Sequence, residues 1–152
     1  MKLNVKEFKN IFVLYIKMNN YIFSSLVYYL SLQRCSKSSD FSIHGLWPDY
    51  ISGGYPQFCT NQQFNLSTIE PILDDLNKYW NSCIGKSDTF WKHEFEKHGT
   101  CFDPPTTEFD YFNNTLTTFH KLKNDGTIDK LCYNKFNCMI ELPNYNVYTN
   151  YS

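Results

Sequence analysis

His44, His93 and His98 are three of the four histidines in a chain of 152 residues. They stand in two short segments, FSIHGLWPD at 41–49 and FWKHEFEKHGTC at 90–101. Both segments set a tryptophan beside imidazole, and the second adds Glu94 and Lys97. Imidazole titrates near neutrality, so a pair of them can take a proton from one oxygen and return it to another. A lysine and a carboxylate alongside can stabilise charge on a reacting phosphoryl group without a metal. The combination suits phosphoryl transfer within RNA, where the ribose 2′-hydroxyl is an internal nucleophile. DNA lacks that hydroxyl and is excluded as a substrate.

Spacing sharpens this reading. In the second segment Asp88 or Thr89 can cap a helix, Gly99 can end it, and Pro104-Pro105 prevents its resumption. At about 100° per residue, Lys97 falls about 40°, Glu94 about 100° and His98 about 140° from His93. The four polar groups share one arc, and Phe95 and Glu96 point elsewhere. A zinc-protease helix would carry histidines four residues apart. HEFEKH sets them five apart, so Glu94 and His98 form the i, i+4 pair instead. No metal and no cofactor is expected. The bland alternatives are a solvated charged helix face, a strand histidine with a structural partner at His44, and a core tryptophan at Trp47. The pairing of the two segments favours a site.

The elements that must hold these groups are mixed. Phe41, Ile43, Gly45 and Trp47 alternate with Ser42, His44 and Leu46 at strand period. Pro48 removes a ladder donor and is expected to turn the chain out, leaving His44 near the strand end on the face opposite Trp47. The Gly-rich turn Ser52-Gly53-Gly54 leads to Tyr55 and Cys59. Ile69, Ile72, Leu73, Leu76 and Trp80 repeat at helical spacing, with Ser67 or Thr68 as cap and Pro71 in the first turn. A further helix is expected from about Thr107 to Leu122, burying Phe109, Phe112, Leu116 and Phe119. Asp125-Gly126 signals a turn, after which the pattern dissolves into Asn- and Tyr-rich sequence. The fold class is α+β.

Composition sets outer bounds. The length suits one domain with a sizeable core. A net charge of −1 excludes a protein that coats nucleic acid through a basic face, but a site touching one or two phosphates needs none. Six cysteines, Cys35, Cys59, Cys83, Cys101, Cys132 and Cys138, contain no CxxC pair. Disulfides in an oxidising compartment are expected rather than zinc or redox chemistry. Sequons at Asn65, Asn113 and Asn150 agree with secretion. The apolar runs at 11–16 and 21–32 are each too short to span a membrane, and either can serve as a signal-peptide core. Residues 1–33 are therefore a signal segment or an N-terminal strand, and 34–152 one domain. A monomer is the default expectation, since nothing in the sequence speaks to oligomeric state.

FSIHGLWPD and FWKHEFEKHGTC resemble, nearly residue for residue and in the same order, the two active-site segments of the ribonuclease T2 family, the secreted acid endoribonucleases that include the plant self-incompatibility ribonucleases. The resemblance covers roughly residues 35–125. It implies an antiparallel central sheet flanked by helices. It also implies that His98 takes the proton from the 2′-hydroxyl and that His44 protonates the departing 5′-oxygen. Glu94 and Lys97 would stabilise the five-coordinate phosphorus, and His93 would hold the phosphate. The products would be 2′,3′-cyclic phosphates, then 3′-phosphates. Trp47, Asp49 and Tyr55 match the family's base-binding positions. The disulfides implied are Cys35–Cys83 and Cys59–Cys101, the second tying the loop after the first active-site strand to the end of the active-site helix. The implied partner is RNA, and the implied location is outside the cell or in an acidic organelle of the secretory pathway, such as a lysosome or vacuole.

The chain also departs from the family pattern. Ser31-Leu32-Gln33 runs straight into Arg34-Cys35, where the family has a Gln-Trp-Pro-like stretch. Beyond the helix ending near Leu122 the family continues for several strands, so the sheet is expected to be shortened at its C-terminal strands. Cys132 and Cys138 pair with each other or lack their usual partners. The alternatives to an active ribonuclease are an RNA-binding remnant without turnover and a non-functional fragment.

Overall fold

The computed structural model describes residues 26–145. Strand β1 (Leu26–Gln33) pairs antiparallel with β2 (Ser42–Tyr50) on one side and with β3 (Asn137–Leu142) on the other, giving the order β2-β1-β3. Between β2 and β3 come a 3-10 stretch (Leu66–Ile72), helices α1 (Leu73–Tyr79) and α2 (Ser87–Lys97), and a 3-10 turn (Gly99–Cys101). Helices α3 (Glu108–Asn124) and α4 (Thr127–Cys132) complete the set. This is the α+β class with an antiparallel sheet. The N-terminal strand is real over Leu26–Gln33, and the apolar run at 11–16 lies outside the described residues.

One face of the sheet is the core face. Leu30, Leu32, Ile43, Leu46 and Ile140 are buried there, together with Tyr111, Phe112 and Phe119 of α3 and with Trp80, Trp91 and Phe95. Removing each such side chain from water contributes about 1.5–3 kcal/mol. Phe109, expected in this stripe, is only half-buried, and Tyr111 takes its place. The reason is polar. The Tyr111 hydroxyl donates to the Leu46 carbonyl at 3.3 Å and accepts from the Leu46 N–H at 3.5 Å.

Several local expectations are corrected. The first helical stretch is capped by Asn65, whose side chain accepts from the Ser67 N–H, rather than by Ser67 or Thr68. It begins as a 3-10 turn holding Pro71 and becomes α-helical only at Leu73. Helix α2 starts at Ser87 after Lys86, which makes no side-chain cap, and Asp88 sits within the first turn rather than capping it. Thr107 caps α3 through the Asp110 N–H. β2 runs through Pro48 to Tyr50, with Pro48 opposite Tyr28. β2 is an edge strand in the described sheet, where a missing donor is tolerated. The sequence after Gly126 does not dissolve. Gly126, at φ +79, turns the chain into α4, and β3 follows.

Candidate active site

β2 delivers His44 by means of a bulge. Ser31 pairs with Gly45 and Leu32 with Ile43, so His44 is an extra residue without a partner in the ladder. Strict alternation would send His44 and Trp47 to opposite faces. The extra residue reverses that parity, and the two rings meet edge to face with centroids 5.0 Å apart. The outer edge of β2 is closed by aromatic side chains. Trp80 donates its indole N–H to the His44 carbonyl at 2.9 Å, and Trp91 donates to the Trp80 carbonyl at 2.7 Å.

Helix α2 supplies the rest. Glu94 and His98 face inward and are buried, His93 is exposed, and Lys97 is half-buried at the rim. Glu94 Oε2 accepts from Trp47 Nε1 at 2.7 Å, while Oε1 lies 3.6 Å from His44 Nε2. His98 stacks on Trp47 at 5.0 Å between centroids. Gly45 makes the approach of α2 possible, because a Cβ there would collide with Glu94 Oε2 and Trp47 Nε1.

His44, Trp47, Asp49, Tyr55, His93, Glu94, Lys97 and His98 all line one cleft of about 470 Å³. Tyr55 is held at its mouth. Cys59 is bonded to Cys101, the Phe58 N–H reaches the Lys97 carbonyl at 2.9 Å, and the Cys59 N–H reaches Thr100 Oγ1 at 3.1 Å. Lys97 Nζ sits 5.6 Å over the Tyr55 ring. The other disulfides are Cys35–Cys83 and Cys132–Cys138.

Burial dominates the electrostatics. It pushes the Glu94 carboxyl up to about 7, against the opposing pull of the Trp47 hydrogen bond and the Lys97 charge. His98 is pushed down to about 3, by burial first and then by Lys97, His93 and His44. His44 is lowered by burial, His93 and Lys97, and burial raises Asp49. His98 Nδ1 is buried without a hydrogen-bond partner among the described residues. One imidazole is thus kept neutral and one carboxyl kept close to protonation, beside the charge of Lys97.

Two lining residues, Phe90 and Met139, and one neighbour of the cleft, Phe58, escaped the sequence reading. Phe90 lies 5.4 Å from the His44 ring, and its place four residues before Glu94 on α2 was the available signal. Phe58 sits 6.4 Å from His93 with φ +49, a left-handed conformation no pattern announces. Met139 of β3 completes the cleft. Among the described residues no three His, Cys, Asp or Glu side chains cluster as metal ligands, and no helix is long and apolar enough to cross a membrane. A larger hollow of about 820 Å³ at the other end of the sheet is lined by tyrosines and the carboxylates Asp49, Asp103 and Glu141, with no imidazole or cation among the described residues that line it.

Comparison with known proteins gives a consistent result. The model of the ribonuclease T2 family matches residues 21–134. Ribonuclease DdI of Dictyostelium discoideum is 36% identical over 142 residues, covering 90% of this chain and 56% of its own length. Ribonuclease 1 of Arabidopsis thaliana is 38% identical over 97 residues, covering 61% of this chain and 42% of its own. The chain spans about half the length of these curated relatives. The crystal structure of human RNase T2 superimposes with a TM-score of 0.58 at 27% identity, over 70% of this chain and 61% of that one. RNase NT in complex with 5′-AMP gives 0.54 at 30% identity, over 65% and 61%.

Proposed function

The chain belongs to the ribonuclease T2 family, and from that premise we propose that it cleaves single-stranded RNA by metal-free transesterification. The observation that carries this reading is the joining of His44, Trp47, Glu94 and His98 in one cleft, with His98 stacked on Trp47 and Glu94 hydrogen-bonded to it.

His98, held neutral, takes the proton of the 2′-hydroxyl. The freed oxygen attacks the adjacent phosphorus in line, and the bond from phosphorus to the 5′-oxygen breaks. His44 gives its proton to that departing oxygen. Water then opens the cyclic phosphate, with acid and base exchanging tasks, to leave a 3′-phosphate. Lys97 supplies positive charge to the phosphoryl oxygens, and His93 holds the phosphate through a ring N–H. A carboxylate would repel the phosphorane, whereas burial keeps Glu94 near protonation, so that at mildly acidic pH it can donate to a phosphoryl oxygen. Asp49 and the exposed Tyr55 meet the base. Trp47, already engaged with Glu94 and His98, contributes a ring edge or its remaining face to that base as well as orienting the pair.

Secretion, or residence in an acidic lumen, fits the three disulfides and a site that works at acidic pH. The RNA-binding remnant and the non-functional fragment remain the competing readings, and one experiment separates them. The protein is incubated with ApU in EDTA at about pH 5, and the products are resolved by mass. Adenosine 2′,3′-cyclic phosphate from wild type, and none from His98→Ala, supports the enzyme. Binding of mononucleotide without any product favours the remnant, and failure to fold favours the fragment.

A further inference from the structure

We propose that Met139 contacts substrate, packing against the base of the departing nucleoside. This deepens the transesterification reading and rests on it for the identity of that nucleoside. Met139 belongs to neither active-site segment, and the family match ends at residue 134, before β3 begins. A single exposed apolar side chain needs no explanation in itself. The placement of Met139 does. Along β3, Cys138, Ile140 and Leu142 are buried in the core, whereas Met139 is 50% exposed and turned toward the cleft that holds both catalytic imidazoles.

The register says which end of the cleft it serves. Met139 pairs with Ser31, which pairs with Gly45, so the three form one row across the sheet beside the bulged His44. Asp49 stands four residues further along β2, about 13 Å away at strand rise. Met139 is therefore level with His44, which faces the departing 5′-oxygen, and not with Asp49. The nucleoside that leaves with that oxygen is the one whose base comes within reach of the thioether.

The chemistry fits such a contact. A methionine side chain is unbranched and polarizable, and it packs on aromatic rings without demanding hydrogen bonds. It would hold any of the four bases, adding affinity without base preference. Its position is fixed from behind by the Cys132–Cys138 disulfide, one residue before it, and by the Arg34 N–H donating to the Phe136 carbonyl at 2.9 Å.

The test uses two ligands that lack the 2′-hydroxyl and cannot be cleaved, 2′-deoxyadenosine 3′-phosphate and the dinucleotide in which that phosphate carries a uridine. Affinities are read by tryptophan fluorescence for wild type, Met139→Ala and Met139→Leu. Wild type should bind the dinucleotide more tightly. Met139→Ala should lose about five-fold of the dinucleotide affinity while keeping mononucleotide affinity within about two-fold, and Met139→Leu should recover most of the loss. Equal losses for both ligands would assign Met139 a structural role and overturn the proposal. So would no loss for either, or a wild type indifferent to the added uridine. Because neither ligand is turned over, a protein that fails to cleave ApU defeats the transesterification reading without deciding this one.

Discussion

The indole N–H of Trp47 donates to Oε2 of Glu94 across 2.7 Å, joining β2 to α2 at the point where Gly45 leaves room for them. One hydrogen bond thus orients the carboxyl, and the same indole carries His98 on its face. A methyl group at Gly45 would occupy the place of this contact. Gly45→Ala should lower stability by about 1–3 kcal/mol and kcat/KM for ApU by more than about ten-fold. Thermal melting and dinucleotide cleavage check it, and a variant with wild-type values for both would refute the packing argument.

The pH–rate profile should be a bell on the acid side of neutrality. His98 acts as base only when neutral, so the acid limb follows its depressed value of about 3. His44 acts as acid only when protonated, so the alkaline limb falls below the ordinary imidazole value of 6.5. His98→Ala should reduce kcat/KM by about a thousand-fold. An optimum above neutrality would contradict the assignment.

Glu94 should also make stability depend on pH. Its carboxyl is raised from 4.5 to about 7 in the folded state. A group raised in this way contributes stability fully below its unfolded value, and the contribution is lost as pH rises through the folded value. Glu94→Gln keeps an oxygen for Trp47 but cannot ionise, so it should remove a loss of roughly 3 kcal/mol between those two values. Urea unfolding of both proteins at about pH 4.5 and about pH 8 reads the difference. Equal slopes for the two would sink the idea. The same variant should be a poorer enzyme.

The Cys59–Cys101 bond closes a long loop, its ends separated by 42 positions in sequence. Chain-entropy reasoning assigns such a closure about 4 kcal/mol. Replacing both cysteines by serine should cost stability of that order. Activity should fall further than the fraction unfolded, because Tyr55 and the Lys97 carbonyl contact are tied through the same loop. Activity measured well below the melting temperature distinguishes the two effects.

The sequons should not behave alike. Asn65 is exposed, and its Oδ1 accepts from the Ser67 N–H and hydroxyl, which leaves the amide nitrogen for a glycan. In the sequon at Asn113, Thr115 is fully buried in α3 and its hydroxyl donates to the Tyr111 carbonyl at 2.6 Å. Expressed behind a secretory leader, the protein should carry a glycan at Asn65 and not at Asn113, as peptide mass mapping would reveal. Asn150 lies outside the described residues.

Much of the cleft could be read from the chain because helical spacing is a local property. His93, Glu94, Lys97 and His98 fall on one arc whatever surrounds them, and α2 presents that arc to the cleft. The side of β2 taken by His44 could not be read this way, since a bulge depends on register with a partner strand distant in sequence. Tyr111 displaced Phe109 for a similar reason, as the Leu46 backbone groups it satisfies lie 65 residues away. β3 was missed because NCMIEL carries a large apolar residue at an exposed position, which blurs its alternation. Met139 lay hidden with it.

The unpaired His44 makes the length of β2 as consequential as its composition. A substitution changes one side chain, but a deletion changes the phase of all that follow it. Loss of one residue between Ile43 and Trp47 would leave the ladder continuous and nearly every motif letter in place. It would also draw the imidazole-bearing residue into the ladder opposite Ser31, the place Gly45 now holds, where any Cβ collides with Glu94 Oε2 and Trp47 Nε1. Two aligned sequences could then share almost the whole segment, and only the one with the extra residue would keep a glycine where β2 and α2 meet.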